Sequence, residues 1–328
     1  RMIEAVAERV PILLEQVDSN GLLPLRAARR SFTTAFSFRA FLQKTLPAHL
    51  GELPRPDPLS RVSLPRLSRL PKGVTARWPR AKLSASVTTD GLTGGAKAAG
   101  RRLGSFARSK LRDYEETRNK PQEDGASGLS PYLHFGHISS HEIFHKINRA
   151  EGWTAERLGT STRGSRSGWW GMSPSAEAFL DQLVTWRELG FNACTRSSSY
   201  DRYESLPEWA RQTLAEHAAD RREHLYTSEQ FESADTHDPL WNAAQTQLVR
   251  DGIIHNYLRM LWGKKILEWS ASPRAALQTM IDLNNKYAFD GRDPNSYSGI
   301  FWVLGRYDRA WGPERPVFGK IRYMSSAN

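Results

Sequence analysis

Helical periodicity after about residue 99 is the feature that most constrains the fold of this chain. In six successive segments apolar residues recur at helical spacing, whereas the alternation typical of a strand is scarce. The segment 173–192 is an example, because Ser173 is a residue type that favours a helix N-cap and five buried-type apolar residues follow it. The main domain is therefore predicted to be all-α.

Two shorter regions precede this helical part. Residues 1–58 suggest the end of an α/β unit, with a helix in MIEAVAERV, a buried strand in PILLEQVD and a turn at SNG. Residues 59–98 are rich in Pro, Ser, Thr and Gly, which is linker composition. The predicted division is a remnant of an α/β domain at 1–58, a basic linker at 59–98 and a helical domain at 99–328.

The charge of the chain is concentrated in one stretch. The net charge is +11, and residues 61–112 contain thirteen Lys or Arg against one acid, Asp90. A basic field of this size favours a polyanion such as nucleic acid, although a solvated basic linker has the same composition. Because no apolar run approaches ~18 residues and Cys194 is the only cysteine, we expect no membrane span, no internal disulfide and an intracellular, cytoplasmic protein.

Common catalytic motifs do not account for a function. Neither GxGxxG, a P-loop nor GxSxG occurs. His141, Glu142 and His145 fit HExxH, which would give a zinc hydrolase two ligands and a base, but the pattern is short and an ordinary helix surface is the better explanation. No metal is predicted, so any difficult chemistry would belong to a cofactor.

Tryptophans are the residues that stand out. Trp241, Trp262 and Trp269 fall within 29 residues, and the last two are seven apart and share a helix face. Their spacing fits both core packing and a short chain of aromatic rings. Trp186 and Trp302 lie beside polar groups, where they could fill a core or stack on an extruded base.

Several motifs together resemble a known family. LSPYLHFGHIS (129–139), WNAAQ, HNYLRMLWGKKILEW, DGRDPN and FGKIRYM occur in order between Tyr114 and Met324. The chain is thereby similar to the photolyase/cryptochrome family, and within it to class II cyclobutane pyrimidine dimer photolyases. The resemblance implies a mainly α fold with an all-helical FAD-binding domain, preceded by an α/β antenna domain of which only a remnant matches. An antenna chromophore is therefore doubtful.

The resemblance also implies an activity and a cofactor site. Excited reduced FAD would give an electron to a flipped-out dimer, so the expected protein is a monomeric carbon–carbon lyase acting on DNA that contains pyrimidine dimers. Asn284 would lie near flavin N5, Arg259 and Asp290 would form an ion pair beside the flavin ring, and Asp293 would be a further contact. The residues expected to hold the FAD phosphates are Tyr114, Ser127, Gly128, Leu129 and Ser130.

The remaining matched residues concern electron supply and the lesion. Trp262 would be nearest the flavin, followed by Trp241 and then by Trp269 at the surface. The residues expected to meet the dimer or the DNA are Arg118, Asn119, Trp186, Met260 and Trp302. Gln182 departs from the family, which commonly has a dimer-binding glutamate there, and an amide cannot offer a proton as a carboxyl can. A flavin photoreceptor, or a DNA-binding protein without repair, is the alternative.

Overall fold

A computed structural model describes residues 2–51, 57, 59–63 and 92–326, and within these residues the chain is helical with no named strand. The described α-helices are α1 (Met2–Ala7), α2 (Ala35–Thr45), α3 (Ala96–Ser109), α4 (Tyr114–Thr117), α5 (Ser130–His134), α6 (Ser140–Glu151), α7 (Pro174–Leu180), α8 (Arg187–Arg196), α9 (Glu208–Glu216), α10 (Ser228–Glu232), α11 (Pro239–Asp251), α12 (Asn256–Trp269), α13 (Pro273–Tyr287) and α14 (Pro294–Val303). A π-helical segment, Asp181–Trp186, joins α7 to α8. The mainly α class predicted from periodicity is confirmed.

Side-chain caps explain where several helices begin. Ser173 accepts a hydrogen bond from the backbone N–H of Ala176 at the start of α7, as its residue type predicted. Asp238, Ser272 and Asp293 cap α11, α13 and α14 in the same way, and each is followed by a proline in the first turn. Proline suits this position because its missing N–H would be unpaired there anyway.

Among the described residues the core consists of two apolar clusters. One contains residues of 22–46 together with residues of 98–189, and the other is built from residues 206–321. Helices α8 and α14 bring the two together, and Gly190 permits the approach, because a Cβ there would lie 2.7 Å from the Pro294 carbonyl oxygen. This contact sets the start of α14 against α8, the helix that follows the π-helical segment.

The strand predicted at residues 11–18 is wrong. These residues form no strand, and Ile12 and Leu13 are 72% and 85% exposed. A strand is stable only when another strand forms hydrogen bonds with its backbone, and the described residues offer only the isolated bridges Thr34–Tyr307 and Arg315–Gly319.

Most of the predicted linker, residues 59–98, lies outside the described residues, and the division into domains stays a prediction. No described helix has both the length and the apolar composition needed to cross a membrane.

Residues 20–23 are attached to α8 by a buried carboxyl group. Glu188 accepts hydrogen bonds from the backbone N–H groups of Leu22 (2.6 Å) and Leu23 (3.3 Å), while the Arg187 guanidinium donates to the Asn20 carbonyl oxygen. Burial raises the pKa of Glu188 to about 8, although the two N–H donors oppose the shift. A buried acid with a raised pKa makes folding depend on pH.

We expect the contribution of Glu188 to the free energy of unfolding to fall as pH rises from 4.5 to about 8, because the folded state holds the Glu188 proton more tightly than the unfolded chain does. The loss is at most about 1.4 kcal/mol per pH unit within that window. Glu188→Gln should flatten this slope in denaturant unfolding, and the exposed Glu216→Gln should preserve it. An unchanged slope in Glu188→Gln would contradict the assignment.

Candidate cofactor and lesion site

A cleft of about 600 Å³ is lined by residues of both halves of the fold. Its walls come from α4, the loop before α5, the π-helical segment with its flanking helices, and the stretch that leads into α14. The lining residues are Tyr114, Ser127, Leu129, Ser130, Leu133, Phe179, Gln182, Leu183, Arg187, Asp290, Asp293, Asn295 and Ser296. Most of the residues predicted to contact FAD are thus brought together, although they come from distant parts of the sequence.

The loop Ser127–Ser130 has a backbone that only glycine adopts easily. Gly128 has φ +65°, and the Arg102 Nε donates to the Ser127 carbonyl oxygen at 2.7 Å. A Cβ at Gly128 would lie 2.4 Å from Arg102 Nη2. The loop is therefore fixed from α3, with the side chains of Ser127 and Ser130 available at the cleft wall.

Gly128→Ala should weaken cofactor binding, because alanine is strained at this φ and its Cβ meets the arginine. A left-handed residue costs about 1–2 kcal/mol, which corresponds to roughly tenfold in affinity. Titration of the protein with FAD would measure the change. Gly136→Ala is the matched control, since Gly136 has φ +66° but open space around its Cβ position; equal affinities for the two variants would contradict a role for the loop.

An ion pair and a buried amide adjoin the cleft from the side of α12 and α13. Arg259 Nη2 lies 3.0 Å from Asp290 Oδ1, and both side chains are largely buried. Arg259 Nε is buried and has no hydrogen-bond partner. Asn284 is 1% exposed, and its Nδ2 donates to Ser296 Oγ at 2.6 Å. These groups place fixed polar atoms beside the cleft. One of these atoms, Arg259 Nε, has no hydrogen-bond acceptor.

Charge in the cleft is mixed. Asp293 caps α14 and lies 3.4 Å from His134 Nδ1, and Arg187 lies near enough to Asp293 to interact electrostatically. Burial lowers the pKa of Arg187, while burial raises the pKa of Tyr114 and the nearby Arg118 opposes that increase. Cationic and hydroxyl groups can hold an anionic ligand, and the carboxylates can accept hydrogen bonds from its neutral parts.

Gln182 lies in the π-helical segment and pairs with Arg118. Its hydrogen-bonding surroundings orient the amide oxygen towards the guanidinium, where it accepts from Arg118 Nη1 (2.9 Å) and Nη2 (3.2 Å). The amide N–H₂ is thereby left as a donor at the cleft. A π-helical turn is rare and is found most often at functional sites.

The residues predicted to meet the lesion are only partly brought together. The Met260 methyl group faces Gly299 of α14, one turn before the half-buried Trp302. Trp186 ends the π-helical segment and contacts Tyr307 edge-on, with ring centroids 6.5 Å apart. Asn119 is exposed beside Arg118. None of Met260, Trp302, Trp186 and Asn119 lines the cleft itself.

The three tryptophans of α11 and α12 are buried near one another. Trp241 and Trp262 are 1% and 2% exposed, and Trp241 Nε1 donates to the Trp262 carbonyl oxygen at 3.0 Å. The rings of Trp241 and Trp269 are 6.1 Å apart between centroids and meet edge-on. Trp262 lies one turn after Arg259 on α12 and therefore on the same face of that helix.

Trp269 is not at the surface, and that prediction is wrong. It is 4% exposed, because Tyr226 and His237 pack on its ring at centroid distances of 5.9 and 4.8 Å and Lys265 Nζ lies 5.3 Å from it. The spacing of seven residues could not reveal this contact, since Tyr226 comes from the segment before α10 and His237 from the segment before α11.

Sequence reasoning also missed residues that hold the predicted ones. Gln245 is fully buried, accepts from Trp262 Nε1 at 2.8 Å and donates to the Glu232 carbonyl oxygen at 3.2 Å. Its position four residues after Trp241, on the same helix face, was the available signal. Ser296, the partner of Asn284, lies on another helix, and nothing in its sequence surroundings pointed to that contact.

The HExxH residues lie on α6, away from this cleft. Burial lowers the pKa of His141. Across the part of the chain that the structure describes, no three His, Cys, Asp or Glu side chains cluster closely enough to hold a metal ion.

Comparison with solved structures identifies the fold. A class III photolyase from Agrobacterium tumefaciens aligns over 88% of this chain and 54% of its own, with TM-score 0.56 and 18% identity. A cryptochrome from Synechocystis aligns over 92% of this chain and 58% of its own, with TM-score 0.57 and 18% identity. At this identity the likeness concerns the fold alone, which is that of the photolyase/cryptochrome class.

Comparison with curated proteins is more specific, although no family model matches. Deoxyribodipyrimidine photo-lyases from rice and from Methanothermobacter thermautotrophicus are 42% and 37% identical over 96% and 98% of this chain. The chain belongs to the deoxyribodipyrimidine photolyase family. It spans 60% of the rice protein and 67% of the archaeal one.

Proposed function

We propose that this protein repairs cyclobutane pyrimidine dimers in DNA by light-driven electron transfer from a flavin, as a photolyase of class II type. The observation that carries the proposal is the cleft, in which Tyr114, Ser130, Gln182 and Asp290 meet although they lie far apart in the sequence. Family membership and the half-buried Trp302 support the same conclusion.

The cleft suits FAD in the chemistry of its donors. The hydroxyl groups of Ser127 and Ser130 can donate to phosphate oxygens, and the unpartnered Arg259 Nε can donate to a carbonyl oxygen of the flavin ring. When bound and reduced, FAD supplies one electron on excitation and receives it back after the dimer has split.

The residues of the chain then have distinct tasks. Arg259 offsets the negative charge of the reduced flavin ring, and its ion pair with Asp290 orients the guanidinium. Asn284 presents an amide whose N–H₂ is already fixed by Ser296. Trp186 and Trp302 stack on the extruded dimer, and Gln182 donates its N–H₂ to the base edge. Asp293, Met260, Arg118 and Asn119 complete the cofactor and lesion contacts.

Anaerobic illumination of the FAD-loaded, chemically reduced protein with a dimer-containing oligonucleotide tests the proposal. We expect dimers to disappear in the light and to persist in the dark. If FAD is bound and the far-UV circular dichroism is that of a helical protein, yet no dimers are lost, the repair function is excluded. A light-dependent change in flavin absorbance without dimer loss would then favour a photoreceptor.

Gln182→Glu should increase repair. A carboxylate can accept from Arg118 with one oxygen and from an N–H of the base edge with the other, and a charge-assisted hydrogen bond is about twice as strong as a neutral one. A gain of about 1 kcal/mol corresponds to roughly fivefold tighter binding of dimer-containing DNA. Gln230→Glu is the control, because it changes the charge equally and a carboxylate can still accept from the Thr227 N–H. An unaltered affinity in Gln182→Glu would mean that position 182 does not contact the base edge.

A further inference from the structure

Lys264, on α12, is a fully buried lysine that none of the predicted roles explains. Its side chain is 0% exposed, and its Nζ donates to the Val303 carbonyl oxygen at 2.6 Å. Val303 is the last residue of α14, so the ammonium group lies at the negative end of that helix. Gly263 makes the approach possible, because a Cβ there would lie 2.6 Å from Val303 Cγ2.

The same ammonium group contacts the ring of Trp302. Lys264 Nζ is 5.1 Å from the centroid of that ring, within the range of a cation–π interaction. Arg322 is a second cation at 5.6 Å from the ring. The charged groups that act on Lys264 are Asp308, which favours its protonated form, and Arg322, which opposes it. Trp302 lies near the C-terminal end of α14, where most side chains are apolar. Two cations, Lys264 and Arg322, thus lie close to its ring.

A buried ammonium group is costly to the fold, which argues for a functional reason to keep it. Burial lowers the pKa of Lys264 to about 7, so that the folded protein loses part of this charge near neutral pH. Because an unfolded lysine is protonated up to about pH 10.5, the charge opposes folding most strongly below pH 7. A methionine of similar length would avoid this cost.

We propose that Lys264 is a positioning residue for the lesion: it fixes the ring of Trp302 through its contacts with that ring and with the end of α14, so that Trp302 can stack on an extruded pyrimidine dimer. This inference rests on the proposed function. Protonated Lys264 holds the indole in place and polarises it, and the neutral amine keeps only the hydrogen bond to Val303. Selectivity for dimer-containing over undamaged DNA therefore declines as pH rises through about 7.

The test is the ratio of dissociation constants for undamaged and dimer-containing oligonucleotides, measured in the dark at about pH 6 and about pH 8.5, on either side of the Lys264 pKa. Lys264→Met should lower the ratio by roughly 5- to 30-fold at the lower pH, which is the fold-change that corresponds to the loss of a desolvated cation–π contact. The thermal unfolding midpoint of this variant should not fall. Lys264→Arg stays charged at both pH values and should make the ratio independent of pH. This variant therefore distinguishes titration of Lys264 from titration of the histidines of the chain as the cause of the pH dependence.

Lys265→Met is the matched control, because the neighbouring Lys265 also lies over a tryptophan, Trp269, but is paired with Glu268 at 2.7 Å. It should leave the ratio unchanged. A pH-dependent component of tryptophan fluorescence should be present in the wild type and absent from Trp302→Phe and from Lys264→Arg. A wild type that prefers dimers equally at both pH values overturns the role of Lys264. A wild type without any preference for dimers overturns the proposed function as well.

Discussion

Trp262→Phe should abolish light-driven reduction of the bound flavin and leave repair by chemically reduced protein intact. Trp262 is the tryptophan one turn from Arg259, and in the proposed electron route it would supply the electron that Trp241 and then Trp269 would replace. Phenylalanine fills much of the same space but is far harder to oxidise. The measurement is the loss of oxidised-flavin absorbance under light with an external thiol, followed by dimer repair after dithionite reduction.

Trp209→Phe provides the comparison for this experiment. Trp209 packs against the same apolar cluster as Trp262 but takes no part in the tryptophan chain, so flavin photoreduction should continue at the wild-type rate. Normal photoreduction in Trp262→Phe would remove Trp262 from the electron route. Loss of repair after chemical reduction would mean instead that the substitution disturbs the cleft.

Arg259→Leu should release the cofactor. It leaves Asp290 in the cleft wall without its partner, and the uncompensated carboxylate repels an anionic cofactor while the cation that attracts it is lost. Since both side chains retain some exposure, a loss of about 2–3 kcal/mol is expected, or roughly 30- to 150-fold weaker FAD binding. Equilibrium titration of the unloaded protein with FAD measures it.

The control for Arg259→Leu is Arg250→Leu. Arg250 also pairs with an aspartate, Asp251 at 2.6 Å, but its side chain is 69% exposed. Exposed pairs contribute about 0–1 kcal/mol, so FAD affinity should stay within a few-fold of the wild type. Similar losses in both variants would indicate a general effect on folding rather than a contact with the cofactor.

The helices were largely predictable from the sequence because their information is local. Ser173, for example, acts on the N–H of a residue only three positions away, and the apolar residues of α3 and α7 follow helical spacing. The strand at 11–18 failed because a strand depends on a partner that local sequence cannot supply. The burial of Trp269 was missed for a related reason, since Tyr226 and His237 cover it from another segment.

The site was predictable to the extent that it resembles a family. No spacing rule relates Arg259 to Asp290, and only the matched motifs suggested that they pair. Lys264 shows the limit of both approaches: two adjacent lysines in a tryptophan-rich helix gave no reason to distinguish one that is paired with Glu268 from one that is buried against α14.

The shared cluster of residues 22–46 and 98–189 has a consequence for how the chain is made. Helix α2 carries Phe38 and Leu42, and the Arg39–Asp181 ion pair that ties it to the core joins residues 142 positions apart. At a synthesis rate of about 5–20 residues per second, α2 leaves the ribosome roughly 7–30 seconds before its partner exists. During that interval the face of α2 that later packs against the π-helical segment is uncovered, which makes it a binding site for a chaperone that recognises nascent hydrophobic segments.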